Sequence, residues 1–366
     1  MTRAYLPPLI IAALIAGGLT YYIKVIAEKL KLFDLPSPRK VHSKPTARLG
    51  GVAIVVAFLI MMIGYTFASH RLSFSGGSFL MMDKWLWGVL AGLIILLVTG
   101  VIDDIKGMRP TSKLFWQIVA AVCVVASGVS ISYLRLPFGN HLDLTIWQIP
   151  FQIFGGSYNF IILSDLLAIF WIVLLINTFN FLDGLDGLAT GIAAITCGVI
   201  FFLSISLGQD NNALLALLIG GVALGFLPWN FHPAKIFLGD SGSQSIGFLI
   251  GILSIISGGK MATAFLVLGV PVLDVGWVVL RRLFSKKSPF MADKRHLHHR
   301  LLTAGLSQRQ AVLLLYVIAI IFGSIGVIAK TQEKITAIII LLCLMAALGI
   351  ILVVLEWRKR RKVAHE

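Results

Sequence analysis

The chain has 366 residues, 58% of them hydrophobic and only 13% charged, whereas a soluble globular chain carries roughly 25% charged residues. Its apolar residues come in unbroken runs of about 18 or more, the signature of transmembrane helices and not of the alternating strands of a membrane barrel. The net charge of +15 would suit nucleic acid in a soluble protein, but these lysines and arginines flank apolar runs, so they report membrane orientation and no nucleic-acid partner is expected.

Eleven spans are predicted, at about 6–27, 49–68, 85–102, 114–134, 161–179, 187–207, 213–228, 244–257, 262–280, 311–329 and 335–355. The expected fold is therefore an all-α, polytopic transmembrane bundle. It forms a single integral membrane domain over residues 1–366, with a catalytic core at about 39–310. The first run follows Arg3 but opens on Pro7-Pro8 and leads to no small-residue cleavage site, so it reads as an uncleaved span. Ahead of the second span, RKVHSKPTARLGG (39–51) carries Arg39, Lys40, Lys44, Arg48 and His42 beside a Gly pair. Alone it is a juxtamembrane basic stretch; beside acidic clusters, Lys44 and Arg48 become anion contacts.

The third span ends in Asp103-Asp104. Adjacent carboxylates repel unless a cation or basic group is near. Either Lys106 and Arg109 relieve them at a solvated helix end, or a divalent cation does, since Mg²⁺ takes one or two carboxylates plus substrate phosphates. Lys113 follows, just before the fourth span. The next loop, 135–160, holds aromatics and Gly155-Gly156, read as interfacial anchors and turns.

The fifth span runs into NTFNFLDGLDGLATG (177–191), where Asn177, Asn180, Asp183 and Asp186 recur every three residues. That spacing predicts one drifting stripe on a helix, with Gly184 and Gly187 allowing a close approach. Polar groups continuing an apolar span face an interior or a water-filled cavity. The runs 213–228 and 244–257 are short enough to be either spans or re-entrant segments. Between them lies NFHPAKIFLGDSGSQSIG (230–247), in which Gly239, Ser241, Gly242 and Ser243 frame Asp240. Such a turn either binds an anion at a helix N-terminus or simply caps the helix.

The loop 281–310 contains RHLHHRLL (295–302), with His296 and His299 near one helical turn apart, His298 beside them and Arg295 and Arg300 flanking. The arginines and the lack of nearby Cys disfavour zinc. Contact with phosphate or sugar hydroxyls is one reading, and a basic amphipathic helix on anionic lipid is the other. Cys123, Cys197 and Cys343 all fall in apolar runs and read as small core residues.

Most of the 31 basic residues lie in alternate loops and in the C-terminal tail, Arg358 to Lys362. The positive-inside rule then puts the N-terminus outside, the C-terminus in the cytoplasm and every polar cluster on the cytoplasmic face. Carboxylates for a divalent cation together with Lys, Arg and helix N-termini for phosphates suit phosphoryl transfer, where catalysis is largely positioning and charge neutralisation. A secondary transporter would also carry intramembrane acids, but its site lies near the midplane between repeats, and no repeat is visible here.

Asp103-Asp104, NFLDGLDG, FLGDSGS and HLHHRLL occur in the order found in the polyprenyl-phosphate N-acetylhexosamine-1-phosphate transferases, which the chain resembles over about residues 39–310. Eleven spans with the N-terminus outside is also similar to that family. HLHHRLLTAGLSQRQAV resembles the branch that uses UDP-N-acetylglucosamine (UDP-GlcNAc) to begin teichoic acid, O-antigen or related polymers. The triple His followed by Phe-Glu of the muramoyl-pentapeptide branch is absent.

The resemblance implies the reaction undecaprenyl phosphate plus UDP-GlcNAc to undecaprenyl-diphosphate-GlcNAc plus UMP in the cell membrane. It implies Mg²⁺ or Mn²⁺ as cofactor, with Asp240, Asp103 and Asp104 as metal candidates. Asp103, Asp104 and Asp186 are the catalytic candidates, Asp103 as proton acceptor, although a lipid phosphate with a second pKa near ~6 hardly needs a base. Asn180, Asp183 and Asp186 are implied nucleotide contacts, with Asn230 and Phe237 beside them in the substrate-binding set; Phe237 either stacks on uracil or is an ordinary core residue. His296, His298, His299 and Arg300 would face the sugar diphosphate, and Lys44, Arg48 and Lys113 complete the expected substrate-binding set. Direct displacement and a covalent phospho-aspartate are both compatible with this set. The partners expected are UDP-GlcNAc, undecaprenyl phosphate, membrane lipid and a second copy of the chain in a homodimer. A sibling enzyme using UDP-MurNAc-pentapeptide or another UDP-hexosamine would share the same chemistry.

Overall fold

In the computed structural model, the described residues are 5–36, 44–69, 72, 78–79, 82–135, 141–153, 156–257, 261–284, 297–329 and 331–363. They form α1 (Leu6–Lys29), β1 (Phe33–Asp34), β2 (Thr46–Ala47), α2 (Gly50–Ser69), β3 (Ser78–Phe79), β4 (Met82–Asp83), α3 (Lys84–Lys106) and α4 (Pro110–Ala126). These are followed by β5 (Tyr133–Arg135), β6 (His141–Asp143), β7 (Gln148–Ile153), β8 (Gly156–Ile161), α5 (Ile162–Leu182), α6 (Leu188–Ser206) and α7 (Asp210–Asn230). The chain then continues as α8 (Gly239–Ile256), α9 (Met261–Phe284), α10 (Leu297–Thr303), α11 (Gln308–Ile328) and α12 (Thr331–Val363).

A helix lies along each of the eleven predicted runs, but the fourth needs correction: α4 ends at Ala126, so the last third of the predicted 114–134 run is a turn that leads into β5. Among the described residues, nine are both long and apolar enough to cross a membrane: α1, α2, α3, α5, α6, α7, α9, α11 and α12. The helix α4 is a shorter apolar one. The run 213–228, which the sequence left between a span and a re-entrant segment, belongs to the 21-residue α7, long enough to span. The other ambiguous run lies in α8, whose polar first turns set it apart from the nine.

The all-α expectation needs one correction. Four antiparallel two-stranded ladders occupy the loops: β1–β2, β3–β4, β5–β6 and β7–β8. The longest pairs Gln148 with Ile161 through to Ile153 with Gly156. Its strands carry β-branched and aromatic residues, which favours pairing of this kind.

The core is apolar, but so is much of the surface, and a set of polar side chains is buried. Leu14 (71% exposed), Phe170, Phe202 and Trp277 face outward, while Asp103, Asp104, Gln117, Asn230 and Gln244 are buried. A bilayer supplies no hydrophobic drive between helices, so their association rests on close packing by small residues and on polar contacts. The central element is α8, buried continuously from Ser241 to Ile255 and packed against α2, α3 and α5. It crosses the start of α2 so closely that a Cβ on Gly51 would lie 2.0 Å from the Gly242 nitrogen. This crossing admits only glycine and brings the polar N-terminus of α8 to the end of the bundle where α3 and α5 finish. The expectation of core cysteines holds for the buried Cys197; Cys343 is exposed on α12, a helix with a largely exposed apolar surface.

Candidate active site

The site is built around the first turn of α8. An α-helix begins with N–H groups that lack intrahelical partners, and here a neighbouring helix supplies the acceptor. Asp104, at the end of α3, takes the Asp240 N–H on Oδ1 (2.8 Å) and both the N–H and the hydroxyl of Ser241 on Oδ2 (3.2 and 2.8 Å). The residue before Asp240 is Gly239, at φ +73°, where a Cβ would meet the Asp104 carboxylate at 2.7 Å. The choice left open by the sequence, anion site or helix cap, is thereby answered locally: the anion at the N-terminus of α8 is the Asp104 side chain.

Asp103, the other member of the pair, faces a different way. Its Oδ1 accepts the Met108 N–H in the turn after α3, and its Oδ2 lies against the Lys113 ammonium in the first turn of α4. The same ammonium donates to Asp240 Oδ2 at 3.0 Å. Asn180, on the last turn of α5, donates to Asp240 Oδ1 and to the Ser243 hydroxyl (3.2 Å). One turn deeper, Gln117 donates to Gln244 Oε1 (3.2 Å) and accepts from Asn177 (2.8 Å), a buried amide chain joining α4, α8 and α5. Sequence reasoning passed over Gln117 and Gln244. Their signal was a Gln inside each of two apolar runs, with Gln117 four residues beyond Lys113.

The predicted helical stripe needs correction. Asn177 and Asn180 lie on α5, but α5 ends at Leu182, so Asp183 and Asp186 sit in the turn before α6. Gly184 and Gly187 break the helix, and Gly187 adopts φ +81°, a backbone state open mainly to glycine. Asp183, half-buried, is pushed well above the usual carboxylate range, first by burial and then by repulsion from Asp240 and Asp104. Asp186 instead reaches the 231–238 loop, meeting His232 Nδ1 at 2.8 Å and accepting the Ala234 N–H at 3.1 Å. His232 was not singled out from the sequence, although it lies within the third polar cluster.

Asn230 is 1% exposed and acts inside the fold. It accepts from the Gly187 N–H (3.1 Å) and the Thr190 hydroxyl, and it donates to the Ile236 carbonyl (3.1 Å). Phe237, half-buried, exchanges backbone hydrogen bonds with Ala47 and Gly50, tying this loop to the start of α2. Arg48 pairs with Asp34 and donates to the Asp104 carbonyl (2.7 Å), so it closes the end of α3; Lys44 is exposed. His296 lies outside the described residues. His298 and His299 belong to α10, and their side chains also lie outside the described set. The N-terminus of α10 is held by Asp274 of α9, which accepts the Leu297 N–H (2.9 Å), while Arg300 extends toward the Gly349 carbonyl of α12 (3.5 Å).

A cation fits between Asp103 and Asp240, because a cationic group already sits there: the Lys113 ammonium faces Oδ2 of both carboxylates. Among the described residues, no group of three or more His, Cys, Asp or Glu forms a metal cage. Two carboxylates with the remaining positions left to substrate oxygens is nevertheless the donor set Mg²⁺ accepts. A narrow, mostly apolar cleft lies nearby, lined by Thr178, Phe181 and Leu182 of α5, Leu188 of α6, and Pro271 and Asp274 of α9. Its lining residues on α5, Thr178, Phe181 and Leu182, flank Asn180 in the chain.

Residues 86–258 match the family model described as Glycosyl transferase family 4. A protein of Bacillus subtilis (strain 168) named "Probable undecaprenyl-phosphate N-acetylglucosaminyl 1-phosphate transferase" is 32% identical over 339 residues, 91% of this chain and 87% of the relative. The decaprenyl-phosphate N-acetylglucosaminephosphotransferase of Mycolicibacterium smegmatis is 35% identical over 330 residues, covering 83% and 77% of the two chains. An undecaprenyl-phosphate alpha-N-acetylglucosaminyl 1-phosphate transferase of Thermotoga maritima is 29% identical over 319 residues, covering 87% and 89%.

Proposed function

The chain belongs to glycosyl transferase family 4, and from that premise we propose that it moves N-acetylglucosamine 1-phosphate from UDP-GlcNAc to undecaprenyl phosphate, releasing UMP. The observation that carries this reading is the convergence of Asp103, Lys113, Asn180, Asp183 and Asp240 at one end of an apolar bundle, next to an apolar cleft. A water-soluble nucleotide sugar can reach that end from solvent, and a polyprenyl phosphate can reach it from the membrane. The positive-inside pattern makes it the cytoplasmic end, with the eleven long helices as eleven spans.

Each side chain then has a task, and all of them come from one copy of the chain. Asp103 and Asp240 hold the divalent cation, Mg²⁺ or Mn²⁺, which when bound neutralises the diphosphate charge. Lys113 contacts the phosphates. Asp104 is a positioning residue: it fixes the first turn of α8, and with it Asp240. Asn180 holds Asp240 from the other side. Asp183 and the Asp186–His232 pair line the nucleotide side, where Phe237 stacks on the base and Asn230 keeps the loop in register. The histidines of α10 and Arg300 cover the sugar diphosphate, and the α5–α9 cleft receives the prenyl chain. The lipid phosphate oxygen attacks the β-phosphorus of the donor as the bond to UMP breaks.

The names of the relatives, all phosphotransferases of this kind, set aside a transporter. The product would open assembly of a cell-surface polymer such as teichoic acid or O-antigen. The test is release of UMP by purified protein given undecaprenyl phosphate and a panel of UDP-sugars. Turnover with UDP-GlcNAc supports the reading. Turnover only with UDP-MurNAc-pentapeptide or another UDP-hexosamine would move the protein to the sibling reaction.

A further inference from the structure

The Lys113 ammonium contacts both of two carboxylates that belong to different helices and lie within hydrogen-bonding reach of each other. It meets Asp103 Oδ2 at the end of α3 and Asp240 Oδ2 in the first turn of α8 (3.0 Å). Both carboxylates are otherwise immobilised: Asp103 by the Met108 N–H, Asp240 by Asn180 and by the Asp104 cap on its own N–H. Lys113 is the one member of the trio on a long flexible stem. It sits in the first turn of α4, its side chain a quarter exposed, and a lysine ammonium is a compact charge with freely rotating donors.

We propose that Lys113 is a resident stand-in for the divalent cation: it holds Asp103 and Asp240 together in the substrate-free protein and vacates the site when cation and diphosphate arrive together. This rests on the reading of Asp103 and Asp240 as the cation's carboxylates. The physical reason is charge. Two carboxylates with no cation between them repel, and one ammonium offsets half of that charge without the geometric demands of a metal. A divalent ion and an ammonium cannot share the site, because they repel across the same short distance. The diphosphate resolves the competition, since it brings negative charge to which the Lys113 ammonium can turn while the metal takes the carboxylates. Free metal therefore binds weakly, and metal and nucleotide sugar bind cooperatively. That coupling is reciprocal, as any linkage must be.

The test measures Mn²⁺ binding to the purified full chain by the loss of the free-ion electron paramagnetic resonance signal, with no substrate present. Lys113→Met removes the ammonium and keeps much of its volume, and it should bind Mn²⁺ roughly tenfold or more tighter than the wild type. Lys113→Arg keeps a cation on the stem and should stay as weak as the wild type. Adding UDP-GlcNAc should tighten Mn²⁺ binding in the wild type far more than in Lys113→Met. The double variant Lys113→Met with Asp240→Asn should lose the gain, which locates it at this site. Circular dichroism and thermal melting of each variant exclude a misfolded protein as the cause.

Equal or weaker Mn²⁺ binding by a folded Lys113→Met would overturn the proposal. If the wild type still releases UMP with Mg²⁺ in that case, the reaction stands and only the stand-in role falls. If no variant binds Mn²⁺ and the wild type turns over fully in metal-free buffer, the cation reading itself falls with it.

Discussion

Asp104 Oδ1 accepts the backbone N–H of Asp240 at 2.8 Å, so one carboxylate of the adjacent pair fixes the position of a third carboxylate 136 residues away. Asp103, its neighbour, instead accepts the Met108 N–H of the turn after α3 and faces Lys113 and the Asp240 side chain. Two consecutive residues of the same type thus carry different work, one in the architecture of α8 and one in its chemistry.

That division predicts different outcomes for the two substitutions. Asp104→Ala leaves the Asp240 and Ser241 N–H groups without acceptors in a buried place, at a cost of roughly 1–3 kcal/mol per unsatisfied group. The melting temperature should fall and activity should fall with it. Asp103→Asn should melt near the wild type, yet lose roughly 10²-fold or more in kcat, the scale of an electrostatic or acid–base group. Melting curves alongside kinetics at saturating lipid would check this. A stable Asp104→Ala with normal melting would remove it from its capping role.

Much of this arrangement was legible in the chain, for reasons that differ by element. The long helices followed from apolar runs, because a bilayer leaves the backbone few other ways to satisfy its polar groups. The Asp103-Asp104 pair, Asp183 and Asp240 stood out as acids at the ends of such runs. What stayed hidden was non-local. No spacing rule connects Asp104 with the N–H of Asp240, and Gln117 and Gln244 pair only because α4 and α8 cross at that depth. The helical stripe from Asn177 to Asp186 was misread because three-residue spacing continues through the segment while Gly184 and Gly187 end the helix. The β7–β8 hairpin was hidden in a loop whose aromatics read as membrane anchors.

Asp183 predicts a pH effect of definite sign. Burial, with Asp240 and Asp104 nearby, holds its pKa well above the usual carboxylate range. A carboxyl whose folded-state pKa is raised favours folding below its unfolded value near 3.9 and loses that advantage as pH rises through the folded value. Above that point the ionised Asp183 is a burden on the ligand-free fold. Asp183→Asn should therefore melt about 2 °C or more higher than the wild type at pH 8, with the gap narrowing toward pH 5. Its affinity for the nucleotide sugar should fall at the same time. Melting curves across pH decide it: a variant less stable than the wild type at pH 8 would mean that the ionised carboxylate is well accommodated.

Removing the cation should silence the enzyme reversibly. EDTA should abolish UMP release, and either Mg²⁺ or Mn²⁺ should restore it. Asp240→Asn should need a higher metal concentration for half-maximal rate. Its Oδ1 partner Asn180 and its backbone contact to Asp104 lie outside the apolar packing, so the fold should persist. Unchanged turnover in metal-free buffer would contradict the assignment of Asp103 and Asp240.

Orientation gives the last prediction, because a cytosolic nucleotide sugar is useful only if the site faces the cytoplasm. Lys235 is exposed in the loop between α7 and α8, at the end of the bundle that holds Asp240 and Asp186. Ile146 is 73% exposed between the β5–β6 and β7–β8 hairpins. That loop joins the end of α4 to the start of α5, and the site lies at the opposite ends of both helices. The two positions should therefore lie on opposite sides of the membrane. In a variant lacking Cys123, Cys197 and Cys343, a cysteine replacing Ile146 should react with an impermeant thiol reagent in intact cells. A cysteine replacing Lys235 should react only after permeabilisation. The basic loops around the site make this the electrostatically favoured orientation, since lysines and arginines next to spans are retained on the cytoplasmic side. The opposite labelling pattern would place Asp103, Lys113 and Asp240 outside the cell, away from any cytosolic donor, and the proposed reaction would have to be abandoned together with the topology.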